Sequence, residues 1–189
     1  MSGIQFSREW CMPSARTFNM PPIRDLIVRN LNEYRNGVVI DPFANESKMA
    51  TITNDLNPEY GTDYNLDAVE FLSTFDDYSV DVVLYDPPYS PRQVSECYKK
   101  LGRTVNMETT QSSFWTKAKK EIGRIIKPDG MAISFGWNSG GIGKSEGFKI
   151  IELMLVSHGG AHNDTIVTVE RKSSERQETF WGQWHDQDN

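Results

Sequence analysis

Four consecutive residues, Asp86-Pro87-Pro88-Tyr89, concentrate more usable chemistry than any other stretch of this chain. They follow Val80-Asp-Val-Val-Leu-Tyr85, a run whose β-branched and apolar content predicts a buried strand. A carboxylate at the end of such a strand is a hydrogen-bond acceptor with several lone pairs. Prolines fix φ and so help to aim a neighbouring carbonyl. The tyrosine offers a flat face for stacking a planar ring. Such a corner suits a conjugated NH2 group. A carboxylate and a neighbouring backbone carbonyl can between them accept both hydrogens of such a group. Two more apolar runs also end in acids: Val38-Val39-Ile40 at Asp41, and Ala50 to Thr53 at Asn54-Asp55. Three carboxylates at the ends of buried strands point to a site rather than to solubility.

The elements that must position these acids can be read from periodicity. Met20-Pro21-Pro22 opens a helix over Ile23 to Tyr34, with Ile23, Leu26, Ile27 and Leu31 on one face. Leu66 to Phe75, a stretch around Val94 to Leu101, and Phe114 to Ile126 read as further helices. Lys127-Pro-Asp-Gly130 reads as a stop and turn. Met131 to Phe135 is a strand, and Phe148 to Val156 with Thr165 to Glu170 forms an antiparallel pair. Residues 1 to 21 are expected to be irregular. Strands alternating with helices predict an α/β protein with a mostly parallel sheet, whose ligands bind beyond the carboxyl ends of the strands.

The strand followed by Leu84-Tyr-Asp-Pro-Pro-Tyr-Ser90 resembles the S-adenosylmethionine-dependent methyltransferases that modify exocyclic amino groups. The DPPY type is the match, closest to the adenine-N6 DNA methyltransferases. The flanks match in order. Thr17-Phe18-Asn19-Met20-Pro21-Pro22 resembles the motif that shields the methionine end of the cofactor. Val39-Ile-Asp41-Pro42-Phe43-Ala44 resembles the first cofactor motif. Asp55-Leu56 resembles the second, whose acid holds the ribose, and Asp67-Ala68 the third, whose acid contacts the adenine. The resemblance spans about Thr17 to Lys172. It implies a Rossmann-like methyltransferase fold with an antiparallel C-terminal hairpin, S-adenosylmethionine as cofactor, and Asp86, Pro87, Pro88 and Tyr89 as the catalytic turn. It also implies methyl transfer to adenine N6 in DNA. The alternatives are an RNA base amino-methyltransferase (guanine N2 or adenine N6) and a catalytically silent interaction protein of the same fold.

The sequence departs from that pattern in three places. The usual glycine turn after the first strand is replaced by Ala44-Asn45-Glu46, where Asn45 tolerates positive φ better than most residues. The first crossover, Pro42 to Met49, is too short for a helix. Its eight residues reach roughly 27 Å when extended, while a five-residue strand needs roughly 17 Å to be retraced. A shortened crossover of coil or a single turn is therefore expected. No added recognition region is visible, so residues 1–172 read as a single catalytic domain and residues 173–189 as a polar tail holding Phe180, Trp181 and Trp184. Weak sequence selectivity, a homodimer or a partner subunit follows from that expectation.

Charge supports two facing partners. The 189 residues carry 20 Lys+Arg and 26 Asp+Glu, a net of −6, which argues against a generic basic nucleic-acid binder. Pro42 to Asp86 holds ten acids and one base, net −9, compatible with a sulfonium cation. Ser90 to Lys127 holds nine bases and three acids, net +6. Arg92, Lys99, Lys100 and Arg103 are assigned to acceptor phosphates, and His162 to a loop near the target base. Cys11 and Cys97 form no paired motif, and neither they nor the three histidines are spaced for a metal, so a reducing, cytoplasmic setting is expected. No apolar run approaches a membrane span, and the opening residues have no secretory layout.

Overall fold

The computed structural model describes residues 3–100, 112–160 and 162–174. Its strands are β1 (Gln5–Trp10), β2 (Val39–Asp41), β3 (Ile52–Thr53), β4 (Val80–Tyr85), β5 (Ile126–Gly136), β6 (Phe148–Ser157) and β7 (Thr165–Lys172). Its helices are α1 (Pro21–Leu31), α2 (Ala68–Ser73), α3 (Pro91–Lys100) and α4 (Ser112–Ile125). The strands form one seven-stranded sheet in the order β1-β6-β7-β5-β4-β2-β3. Only β7 runs against its neighbours: β5–β7 and β6–β7 are antiparallel, and every other pairing is parallel. This is the mostly parallel α/β sheet with an antiparallel C-terminal hairpin that the sequence predicts.

Alternation along β4 divides the core. Val82 and Leu84 join Ile23, Leu26 and Ile27 of α1 on one face. Val83 and Tyr85 join Phe71 and Leu72 of α2 and Ala118, Ile122 and Ile125 of α4 on the other. Every one of these side chains is buried. At roughly 1.5–3 kcal/mol for each large apolar side chain, the two faces supply most of the drive for docking the helices.

No helix lies between β2 and β3; turns fill the connection. Asn45 adopts φ 50°, the left-handed conformation a glycine would otherwise take. The fully buried Asn54 clamps the region. Its amide donates to the carbonyls of Pro42 (3.1 Å) and Leu66 (3.1 Å), and its side-chain oxygen accepts from Leu66 N (2.9 Å).

Two expectations need correction. Residues 5–10 are not irregular: β1 pairs in parallel with β6, from Gln5 opposite Glu152 to Trp10 opposite Ser157. It is an edge strand with both faces largely exposed, so no core-facing periodicity marks it, and backbone pairing alone makes it a strand. Lys127-Pro-Asp-Gly130 does not separate helix from strand. It is a bulge inside β5, where pairing jumps from Val80–Ile126 to Val82–Met131. The Asp81 carboxylate holds it through Lys127 Nζ (2.9 Å) and also accepts from Val38 N (2.7 Å). The tail aromatics Phe180, Trp181 and Trp184 lie outside the described residues. Among those described, no helix is long and apolar enough to cross a membrane.

Candidate active site

The carboxyl ends of β2, β3 and β4 bring Asp41, Asp55 and Asp86 to one edge of the sheet, where three clefts meet. The largest, 480 Å³, is lined by Thr17, Pro42, Phe43, Asn45, Asp55, Leu56, Asp67, Ala68 and the whole turn Asp86 to Tyr89. Its outer wall is α3, through Gln93, Val94, Cys97 and Tyr98. A smaller cleft of 100 Å³ continues past Asp86 between Thr17-Phe18 and Phe43-Ala44. A third, of 360 Å³, lies against Tyr85, Pro87, Tyr89, Trp115, Lys119, Ser134 and Trp137. The Pro87–Tyr89 segment is thus a wall shared by the largest and the third clefts.

Asp86 sits at that wall. Its carboxylate accepts hydrogen bonds from the hydroxyls of Tyr89 and Thr17, and burial lifts its pKa above the ordinary carboxylate value against those two bonds. Tyr89 packs its ring on Trp137, with centroids 5.3 Å apart and planes at 55°. The Pro88 carbonyl accepts the indole N–H of Trp115 (3.1 Å), which pins the diproline corner to α4.

Asp41 lines none of these clefts; it is fully buried beneath them. Its Oδ1 accepts from Phe43 N (3.0 Å), and its Oδ2 has no hydrogen-bond partner among the described residues. Burial first, and the nearby Asp86 and Asp55 charges next, push its pKa well above the usual range. Asp55 bridges the shortened crossover, accepting from Asn45 N (2.9 Å) and Asn57 N (2.9 Å), and burial raises its pKa too. Each Asp55 oxygen keeps a further lone pair for a ligand. Asp67 caps α2 by accepting from Val69 N (3.0 Å), and its other oxygen accepts from the Tyr98 hydroxyl of α3.

Of the residues assigned to phosphates, the two described, Arg92 and Lys99, line none of these clefts. Arg92 is exposed and ion-paired with Glu96 (2.8 Å) within α3, and Lys99 is exposed. Arg103 and the side chain of Lys100 lie outside the described residues. His162 is exposed in the β6–β7 connection and lines none of the three clefts. Sequence reasoning missed Trp115 and Lys119, one helical turn apart on α4, and Glu170. The buried Glu170 carboxylate accepts from Ile142 N (2.6 Å) and Gly143 N (3.0 Å), holding the glycine-rich loop that borders the third cleft. Tracing the α4 face toward Pro88 is the one signal that could have found Trp115.

No family model matches the chain, and no curated protein matches it in sequence. Solved structures do match in fold. TrmN from Thermus thermophilus superposes with a TM-score of 0.53 at 16% identity, covering 81% of this chain and 49% of that one. This chain therefore spans about half the length of that protein. The N-methyltransferase NodS from Bradyrhizobium japonicum gives 0.53 at 12% identity, over 81% of this chain and 97% of that one. The 1,6-didemethyltoxoflavin-N1-methyltransferase of Burkholderia thailandensis, solved with its didemethyltoxoflavin and S-adenosylhomocysteine, gives 0.51 at 12% identity, over 79% and 77%. At these identities the likeness is one of fold.

Proposed function

We propose that this chain transfers the methyl group of S-adenosylmethionine to an exocyclic amino group of a nucleobase, adenine N6 in DNA being the first acceptor to test. One observation carries the reading: Pro87 and Tyr89 form a wall between the largest and the third clefts, and Asp86, directly before that wall, lines the largest and the smallest. The largest cleft falls in the roughly 300–1,000 Å³ range of small-molecule sites. Its acids suit the cofactor, Asp55 for the ribose hydroxyls and Asp67 for the adenine end, and Thr17, Phe18 and Ala44 of the adjoining small cleft suit the methionine end. Two of the structural neighbours are N-methyltransferases by name, one with S-adenosylhomocysteine bound.

When bound, S-adenosylmethionine supplies an electrophilic methyl on a positively charged sulfur. The chain's own residues prepare the nucleophile. Tyr89 and Trp137 form an aromatic corner on the acceptor side, suited to a flat base withdrawn from its stack. Asp86 exchanges its Tyr89 hydrogen bond for one from the amine, and the Pro87 carbonyl takes the second amine hydrogen. These two acceptors draw the nitrogen toward a pyramidal geometry and orient it for in-line transfer.

The test is transfer of labelled methyl from S-adenosylmethionine to duplex DNA, single-stranded DNA, RNA and protein, with the modified nucleoside identified by mass. Label on DNA adenine that disappears in Asp86→Ala supports the proposal. Label on RNA alone moves the activity to RNA. No label on any acceptor, with no cofactor binding by calorimetry, leaves a silent methyltransferase fold.

A further inference from the structure

The third cleft contains an anomaly. Tyr85 is 2% exposed and Ser134 is 6% exposed, both line it, and neither hydroxyl has a hydrogen-bond partner among the described residues. Buried polar groups without partners are uncommon and call for an explanation. Here they are also adjacent. Tyr85 of β4 pairs in register with Ser134 of β5, and Ser134 pairs with Thr168 of β7. Thr168, 1% exposed, is a third buried hydroxyl with no partner among the described residues. Three neighbouring strands thus place a row of unsatisfied hydroxyls on the face that α4 covers, beside Asp86-Pro87.

The surroundings define what this row fits. The cleft has aromatic walls in Tyr89, Trp115 and Trp137 and one cation, Lys119, among its lining residues. Aromatic walls select a flat ring. A hydroxyl both donates and accepts, so it serves ring nitrogens and carbonyls alike.

We propose that Tyr85 and Ser134 are specificity-determining residues that hydrogen-bond the ring edge of the acceptor base next to its amino group. The inference rests on the methyl-transfer reading and names the groups that recognise the acceptor. Tyr85 is the donor of the pair, since burial pushes its phenol pKa upward and keeps it neutral.

The experiment compares wild type, Tyr85→Phe and Ser134→Ala as full chains. Steady-state transfer gives KM for the acceptor and preference for an adenine over its 1-deaza analogue. Ligand-observed NMR with free adenosine and 1-deazaadenosine, in the presence of S-adenosylhomocysteine, gives the same preference without turnover. Each variant should lose about three- to tenfold in acceptor KM or nucleoside affinity and most of the discrimination, the size of one hydrogen bond. The affinity for S-adenosylhomocysteine and Tm should stay at or above wild type, because an unpartnered hydroxyl contributes nothing to the fold. Unchanged KM and unchanged discrimination in both variants overturn the proposal and leave a water-filled cleft. A wild type that binds nucleosides at the row but methylates nothing overturns the reaction and keeps the recognition. Absence of both binding and transfer in the wild type overturns both.

Discussion

Asp86 is a carboxylate with competing demands. Its burial favours the protonated acid, while the Tyr89 and Thr17 hydroxyls favour the ion. Burial is the larger effect, so the acid titrates above its ordinary value of 3.8. Only the ion offers all its lone pairs to an amine. Activity should therefore fall as pH falls through that raised pKa, and the acidic limb of kcat/KM should lie above pH 3.8. Asp86→Asn keeps an accepting oxygen but cannot ionise, so it should lose this limb while retaining part of the rate. Asp86→Ala removes the acceptor, and the loss should be about 10²–10⁴-fold in kcat. A pH profile of the wild type and both variants, with cofactor affinity measured in parallel, checks all three. An Asp86→Asn profile with the wild-type limb intact assigns the limb to another acid. The turn Asp86-Pro87-Pro88-Tyr89 was legible in the sequence because a diproline directly after an apolar strand is a local pattern. The hydroxyls of Tyr85 and Ser134 were not, because their meaning comes from cross-strand register.

At the scale of elements, two connections do the positioning. The helix-less β2–β3 link depends on the side chain of Asn54, which satisfies buried backbone groups of Pro42 and Leu66. Asn54→Ala leaves those groups unpaired and should cost about 3 kcal/mol, read from the midpoint of urea unfolding at constant m. α3 is the second. Its charges were expected to face phosphates, but its inner side walls the largest cleft, and Tyr98 ties it to Asp67. Cys97, exposed on that wall, reports on it. In a Cys11→Ser background, saturating S-adenosylhomocysteine should slow maleimide labelling of Cys97 severalfold; labelling at an unchanged rate would place the ligand elsewhere. The shortened crossover was legible from residue counts, because chain reach is a local constraint. The strand β1 was not, since it buries neither face and exists by pairing with residues about 147 positions away, Gln5 with Glu152.

For the whole molecule, the carboxyl edge of the sheet concentrates acids that the fold partly dries. Asp41, Asp55 and Asp86 all titrate above 3.8, burial being the largest cause each time. An acid with a raised native pKa holds its proton more tightly folded than unfolded. Between the unfolded value and the raised native value the native state binds more protons, so stability falls as pH rises through that window. Above the window the loss is complete, and the free protein carries an ionised cluster at a poorly hydrated edge. A bound cation offsets that cost, whereas a neutral ligand of the same shape does so less. S-adenosylmethionine and S-adenosylhomocysteine differ in this respect by the sulfonium charge. Melting followed from pH 4.5 to pH 8, at equal saturation of the two ligands, should show the unliganded Tm declining from the acidic side. The extra stabilisation by S-adenosylmethionine over S-adenosylhomocysteine should grow along the same window. Asp41→Asn should flatten the unliganded decline, because it removes the acid whose pKa is raised furthest above the usual range. A Tm that rises with pH across this window, or equal shifts from the two ligands at every pH, would mean that the three acids are compensated inside the protein and that the edge is not built to receive a positive charge.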